Sequence, residues 1–227
     1  WLLMALITFL VAVIGWIFLK EKPNQLTILP SSPDGDKKPI PSAGKGNGFT
    51  LKAIFIIYFI FGFAYNIYAT YFVAYMVEEI RLTEKTAGDI WALFGWMCMG
   101  SGLIWGYISD RMGRRKALLW NNGTIAVAVF LPLQFHHPLF LALSAFLFGF
   151  TFLGTVTIIA ASIGDQVGER RASVYGLVTL IHGFGQFLGT TFGGYLKDLT
   201  GSFQLTFVSS LTGFLLCILL TTLHKEE

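Results

Sequence analysis

The chain has 227 residues, of which 54% are hydrophobic and 13% are charged, and its mean hydropathy is +0.65. Soluble domains contain about 45–50% apolar residues, so this composition indicates a membrane protein and excludes an ordinary soluble enzyme or binding domain. The net charge is only +3, and both cysteines, Cys98 and Cys217, lie inside apolar segments. A disulfide framework or a zinc site is therefore not expected.

Seven apolar runs are long enough to cross about 30 Å of hydrocarbon as helices. In chain order they are roughly residues 1–19, 53–77, 88–109, 117–135, 139–163, 172–196 and 203–223. The pattern is not that of short alternating barrel strands, so we expect an all-α membrane protein. Residues 20–52 are rich in proline, glycine and serine, which predicts a flexible linker between the first run and a six-helix block over residues 53–227.

Basic residues are distributed unevenly between the two ends of these runs. The seven predicted helices place four segments on the same side of the membrane, namely 20–52, 110–116, 164–171 and 224–227. This side holds 13 of the Lys and Arg residues, and the other side holds 3. The positive-inside rule therefore predicts that the richer side, with the C-terminus, faces the cytoplasm.

The loop after the third run concentrates charge. In GYISDRMGRRKAL, which begins at Gly106, five charges fall within seven positions. Each charge would cost at least about 2.5–3.5 kcal/mol at the membrane centre, so the segment is expected at the interface. Gly106 allows a close backbone approach, Gly113 permits a turn with positive φ, and Asp110 can accept hydrogen bonds from Arg111 or Arg114. A plain basic anchor would explain the arginines but neither Asp110 nor the glycines.

This loop fills the pattern G-x-x-x-D-R-x-G-R-R and resembles the signature loop of the major facilitator superfamily. The residues at the fixed positions are Gly106, Asp110, Arg111, Gly113, Arg114 and Arg115. In that family the strongest copy joins the second and third helices, and a further copy joins the eighth and ninth. The resemblance implies that residues 53–227 form a six-helix transmembrane bundle equivalent to spans seven to twelve. Residues 1–19 would then be the preceding sixth span, and 20–52 the central cytoplasmic loop.

Other strings extend the resemblance and imply a function. FGFAYNIYATYF, WALFGW and WGYISDRMGRRKAL are similar to the bacterial YbfB-like group, and GQFLGTTFGGYLKDLTGSF resembles the superfamily's eleventh helix. The implied protein is a secondary transporter that moves a small organic solute by alternating access, without a cofactor or nucleic acid. In the family the loop latches the outward-facing state, a role carried over to Asp110, Arg111 and Arg115.

The resemblance also implies partners and a location. The chain would act in the lipid bilayer of the bacterial inner membrane, as a monomer when complete, together with an N-terminal six-helix half. The alternatives are a membrane sensor or scaffold on the same fold, which does not transport, and an inactive truncated product. Nothing in the sequence resembles an enzyme site, because phosphate-binding glycine loops and paired carboxylates are absent from it.

Candidates for a solute path are neutral, because no Asp, Glu, Lys or Arg lies near the middle of a run. Residues on shared polar or aromatic helix faces are Asn66, Tyr65, Thr151, Thr155, His182 and Gln186. The alternative for each is packing, with hydroxyls bonded to their own helix and the histidine satisfied in the core. Tyr65 could stack on an aromatic or sugar ring. No metal site is expected, including at the pair His136 and His137.

Glycines suggest how the helices pack. Gly185, Gly189 and Gly193 recur every four residues, a pattern typical of close contact between membrane helices. In addition, GYISDRMG and GYLKDLTG, 88 residues apart, share Gly, Tyr, Asp and Gly at equal spacing. This echo predicts that the six-helix block consists of two three-helix units in inverted relation.

Overall fold

The computed structural model describes residues 50–167 and 171–223, together with the single positions Leu6, Phe9, Leu10 and Val13. Over the two continuous ranges the chain forms helices without strands, which confirms the predicted all-α fold for this part. The helices are α1 (Leu51–Glu78), α2 (Glu84–Met112), α3 (Arg114–Gln134), α4 (Pro138–Val167), α5 (Arg171–Thr200) and α6 (Gln204–Leu223). Most of the predicted span over 1–19, almost all of the linker over 20–52 and the last four residues lie outside the described residues.

Five of these helices, α1, α2, α3, α4 and α6, are long and apolar enough to cross a membrane. Helix α5 has 30 residues, about 45 Å of length, but falls short in hydropathy because one of its faces carries His182, Gln186 and several glycines. That face packs against α1, whereas the opposite face exposes large apolar side chains such as Leu180 and Phe184. His182, Gly185, Gly189 and Gly193 are thereby buried, and a histidine within a bilayer needs such a protein partner.

The helices form two layers. α2, α4, α1 and α5 lie side by side in that order, and α3 and α6 pack behind the middle two. The contacts fall into two matching sets. In one set α2 and α3 both pack on α4, and in the other set α5 and α6 both pack on α1. The block therefore consists of two equivalent three-helix units. An odd number of helices in each unit gives the two units opposite directions across a membrane.

The sequence echo marks equivalent ends of the two units. Gly113 follows α2 with φ of 88°, and Gly201 follows α5 with φ of 70°. Their N–H groups donate to the carbonyls of Ser109 at 3.1 Å and Lys197 at 2.8 Å, four residues earlier in each case. Left-handed φ values favour glycine, which explains why this residue recurs at both ends.

A proline inside α3 accounts for one polar cluster of the core. Pro132 has no N–H, so the carbonyl of Ala128 loses its usual helical partner. The hydroxyl of Ser144 on α4 donates to that carbonyl, and Tyr68 of α1 hydrogen bonds to Ser144. The hydroxyl of Tyr75 donates to the carbonyl of Pro132 itself at 2.8 Å. Neighbouring helices thus satisfy the backbone groups that the proline disturbs.

Candidate functional site

The charged loop between α2 and α3 holds three helix ends together through one arginine. Arg114 lies at the start of α3 and contacts Asp110 at the end of α2 and, at 2.9 Å, Asp165 at the end of α4. It also donates to the hydroxyl of Ser109 at 2.7 Å. The Arg114 side chain is 19% exposed, and those of Asp110 and Asp165 are 65% and 48% exposed. With such exposure each pair contributes at most about 1 kcal/mol.

The other two arginines of the loop have different partners. Arg115 donates to the carbonyls of Thr221 at 3.0 Å and Thr222 at 2.6 Å, which lie in the last described turn of α6. Arg111 lies over the ring of Tyr107, 4.6 Å from its centroid. Arg111 and Arg114 were both predicted as possible partners of Asp110, and the structure pairs Asp110 with Arg114. The loop therefore ties α2, α3, α4 and α6 within one block.

A second polar network ties the opposite ends of the helices. Lys197 of α5 pairs with Glu78 of α1 at 3.1 Å. The carboxylate of Glu79 accepts from the Ser202 hydroxyl at 2.7 Å and from the Phe203 N–H at 2.8 Å. At the same end the Nδ1 atom of His137 accepts from the N–H of Leu139 at 3.3 Å, close to the start of α4.

The glycines of α5 lie directly against the backbone of α1. A Cβ at Gly185 or Gly189 would overlap the carbonyl oxygen of Phe59 or Phe63, respectively. A Cβ at Gly193 would lie 2.8 Å from the ring of Tyr71. Only glycine leaves room for this approach, which brings the two helices close enough for side chains of one to bond the backbone of the other.

Asn66 and His182 use that close approach. The Asn66 amide donates to the Gln186 carbonyl at 3.2 Å and to the hydroxyl of Thr190. His182 is 6% exposed, its Nδ1 atom lies 3.0 Å from the Tyr58 carbonyl, and its ring stacks on the Tyr58 ring at 4.0 Å. The structure therefore brings Asn66, His182 and Gln186 to one interface, with Tyr65 5.4 Å from the imidazole.

Thr151 and Thr155 lie elsewhere, with no exposed surface. Thr155 donates to Asn121 Oδ1 at 2.6 Å, and the Asn121 amide donates to the Thr151 carbonyl at 3.0 Å. The Thr151 hydroxyl donates to the carbonyl of Leu147 at 2.8 Å in its own helix. These contacts favour packing for both threonines. Asn121 was not among the residues predicted from the sequence, although an asparagine inside an apolar run must find partners.

Asp165 was missed in the same way. It lies at the end of α4 among basic residues, and an acidic residue on the basic side of the membrane was the signal that could have identified it as a partner of the loop. Its position beside Arg114 depends on how α4 packs against α3, and the sequence of the loop gives no information on that packing.

A groove of about 450 Å³ between α1 and α6 is separate from these residues. Its lining residues are Phe59, Ile60, Phe63, Ser209, Thr212, Gly213 and Leu216. The hydroxyls of Ser209 and Thr212 already donate to carbonyls of α6, so the groove offers a solute little to orient it. On α1 its residues lie roughly opposite Tyr65 at about 100° per residue.

Comparison with known proteins identifies the family. The block superposes on the crystal structure of a point mutant of the peptide transporter POT in complex with sulfate, with a TM-score of 0.65 and 22% sequence identity. The match covers 76% of this chain and 37% of the transporter, so this chain spans well under half of that protein. No curated protein matches the chain in sequence. The family pattern of the Major Facilitator Superfamily matches residues 54–227. The chain is therefore a multi-pass membrane protein that belongs to the Major Facilitator Superfamily.

Proposed function

We propose that the chain corresponds to the C-terminal half of a secondary active transporter, which moves a small organic solute across the bacterial inner membrane by alternating access. Family membership supports transport, and two three-helix units of opposite direction are what one half of such a transporter requires. The match to 37% of the peptide transporter is consistent with one half of such a protein, although an identity of 22% supports only a similar fold and not a similar substrate. The strings around Asn66 and Asp110 support the YbfB-like subgroup.

The observation that carries this proposal is the network of the charged loop. Asp110 is tied to Arg114 and yet its side chain remains 65% exposed, so its carboxylate keeps lone pairs for donors from an N-terminal half. Arg114 and Arg115 fix the loop on α4 and α6, which makes it move with the block as a rigid part. Such a carboxylate can bond a facing half in one conformation and release it in the other, which is how a latch works.

The orientation of the block follows from its charges. The loop at Asp110, the α4–α5 connection and the start of α1 are at the end that gathers Lys and Arg, so we place this end and the C-terminus in the cytoplasm. The turn that contains His136 is then external. A cysteine introduced at His136 should react with a membrane-impermeant reagent added from outside.

The test uses the complete chain in sealed vesicles and compares Asp110→Asn with Glu78→Gln. Both changes remove a carboxylate from a partly exposed ion pair, but at opposite ends of the block. We expect Asp110→Asn to insert normally and to slow solute uptake roughly tenfold, as loss of one charge-assisted bond would. External cysteines near His136 should lose reactivity as the inward-open state gains population. Glu78→Gln should retain most of the uptake.

Three results would contradict the proposal. Unchanged labelling in Asp110→Asn would remove the latch, and an internal His136 would reverse the topology. No flux for any solute, together with an altered signalling output in Asp110→Asn, would instead favour a sensor on the same fold.

A further inference from the structure

A continuous row of rings crosses the front layer of helices. Trp91 and Phe94 of α2 stack at 4.3 Å between centroids, and Phe94 meets Phe152 of α4 at 5.4 Å. Phe152 meets Tyr65 of α1 at 5.2 Å, and Tyr65 stacks on His182 of α5 at 5.4 Å. These five side chains, here called the aromatic row, come from α2, α4, α1 and α5, which is the order in which these helices lie side by side.

The aromatic row lies on the side of the layer that α3 and α6 leave uncovered. Its first four members are partly exposed, whereas Phe207 and Phe214, which α6 contributes behind the layer, have no exposed surface. Trp91 lies about 10 Å from the start of α2 and Tyr65 about 20 Å from the end of α1, which is the same end of the block. The row therefore runs from one end of the block to the middle of the membrane.

His182 contributes one free acceptor to this row. Its Nδ1 atom faces the Tyr58 carbonyl, which can only accept, so the proton of the neutral ring is on Nδ1. Gly62 makes this contact possible, because a Cβ there would lie 2.7 Å from Nδ1. The Nε2 atom is then an acceptor, and it has no hydrogen bond to any residue in 50–167 or 171–223. A solute at the row can donate one N–H or O–H to it.

Few other polar groups lie near the row. Residues 53–77, 90–109, 138–164 and 172–196 of the four front helices contain no Asp, Glu, Lys or Arg. The Asn66 amide is engaged with α5, so the remaining polar side chains on this side include the hydroxyl of Tyr65 itself and the partly exposed Gln186. A sugar would bury several hydroxyls without partners here, at a cost of about 1–3 kcal/mol each.

We infer that the solute of this transporter carries a planar aromatic ring with one N–H or O–H donor, the ring stacking on Tyr65 and Phe152 and the donor bonding His182 Nε2. This inference rests on the proposed transport function and adds the substrate class to it. Offset stacking and edge contacts with exposed rings favour planar π systems over saturated rings of equal size.

The experiment measures uptake and thermal shift with the complete chain. The aromatic probes are 4-hydroxybenzoate, indole-3-acetate and tyramine, which differ in charge, and their counterparts are trans-4-hydroxycyclohexanecarboxylate and glucose. At least one aromatic probe should be preferred over the saturated solutes by roughly tenfold. Tyr65→Leu should lower the apparent affinity for that aromatic probe by a similar factor, whereas Tyr65→Phe should leave this affinity unchanged. Phe187→Leu is the matched control, because Phe187 is 65% exposed on the other face of α5.

A second variant tests the acceptor separately. His182→Phe keeps a ring but removes Nε2, so it should abolish the preference for 4-hydroxybenzoate over 4-methoxybenzoate while a folded, monodisperse protein is retained. Equal uptake of saturated and aromatic solutes, or indifference to Tyr65→Leu, would overturn the inference and leave transport intact. An aromatic-specific thermal shift without flux would uphold the site and refute transport. The absence of both a thermal shift and flux for every aromatic probe would refute the inference.

Discussion

The contact between α1 and α5 allows a stability prediction with an internal control. In Gly189→Ala the new Cβ would lie 2.9 Å from the Cα of Phe63 and closer still to its carbonyl oxygen, where about 3.5–4 Å is comfortable. The obstacle is backbone, so α1 must move as a whole. Overpacking of this kind costs about 1–3 kcal/mol, whereas replacement of a helical glycine by alanine gains up to about 1 kcal/mol. We expect a net destabilisation of about 1–2 kcal/mol.

Gly183→Ala makes the same chemical change six residues away, where nothing lies within 4 Å of the new Cβ. It should be neutral or stabilising by up to about 1 kcal/mol. The assay is an equilibrium unfolding titration with SDS in mixed micelles, followed by tryptophan fluorescence of the purified complete chain. If Gly189→Ala unfolds at the same or a higher SDS fraction than Gly183→Ala, the close approach of α5 to α1 is wrong.

Two further predictions concern the hydrogen bonds that connect helices. Asn66→Ala and Thr190→Val should each destabilise the protein by about 0.5–1.5 kcal/mol. The double variant should lose less than the sum of the two, because the two side chains are hydrogen bonded to each other. Additive losses in the same SDS titration would argue against this hydrogen bond. Arg115→Gln should increase hydrogen exchange in the last turn of α6, whose carbonyls at Thr221 and Thr222 it caps, whereas Lys116→Gln, a change at an exposed neighbour, should not. Equal exchange in both variants would show that the cap is unimportant.

The fold was predictable from the sequence because a bilayer leaves few choices. Long apolar runs must be helices, and charge must leave the hydrocarbon, so the run boundaries and the turn at Gly113 follow from composition and spacing alone. The echo between Gly106 and Gly194 even indicated the two units that the packing shows. Helix α5, predicted as a span over 172–196, is not among the helices that are apolar enough by hydropathy, because its polar face is acceptable in lipid only when another helix covers it.

The candidate site was predictable only in part. Helical periodicity grouped His182 with Gln186 and grouped the threonines of α4 in the same way. In the structure His182 contacts the backbone of α1, whereas Thr151 and Thr155 are buried beside Asn121. Periodicity gives the face of a helix and not the neighbour of that face. Whether a polar stripe faces a partner helix or an open surface therefore remained undetermined until the helices were packed.

The sequence by itself determined the class of protein, its helices and the charged loop, because each depends on the free energy of transferring local groups between water and lipid. Tertiary structure decided which residues meet: Arg114 with Asp165, His182 with the Tyr58 carbonyl, and a row of rings drawn from four helices. These contacts join residues up to about 120 positions apart, and their distances are set by interhelical packing, above all by glycines that let backbones touch.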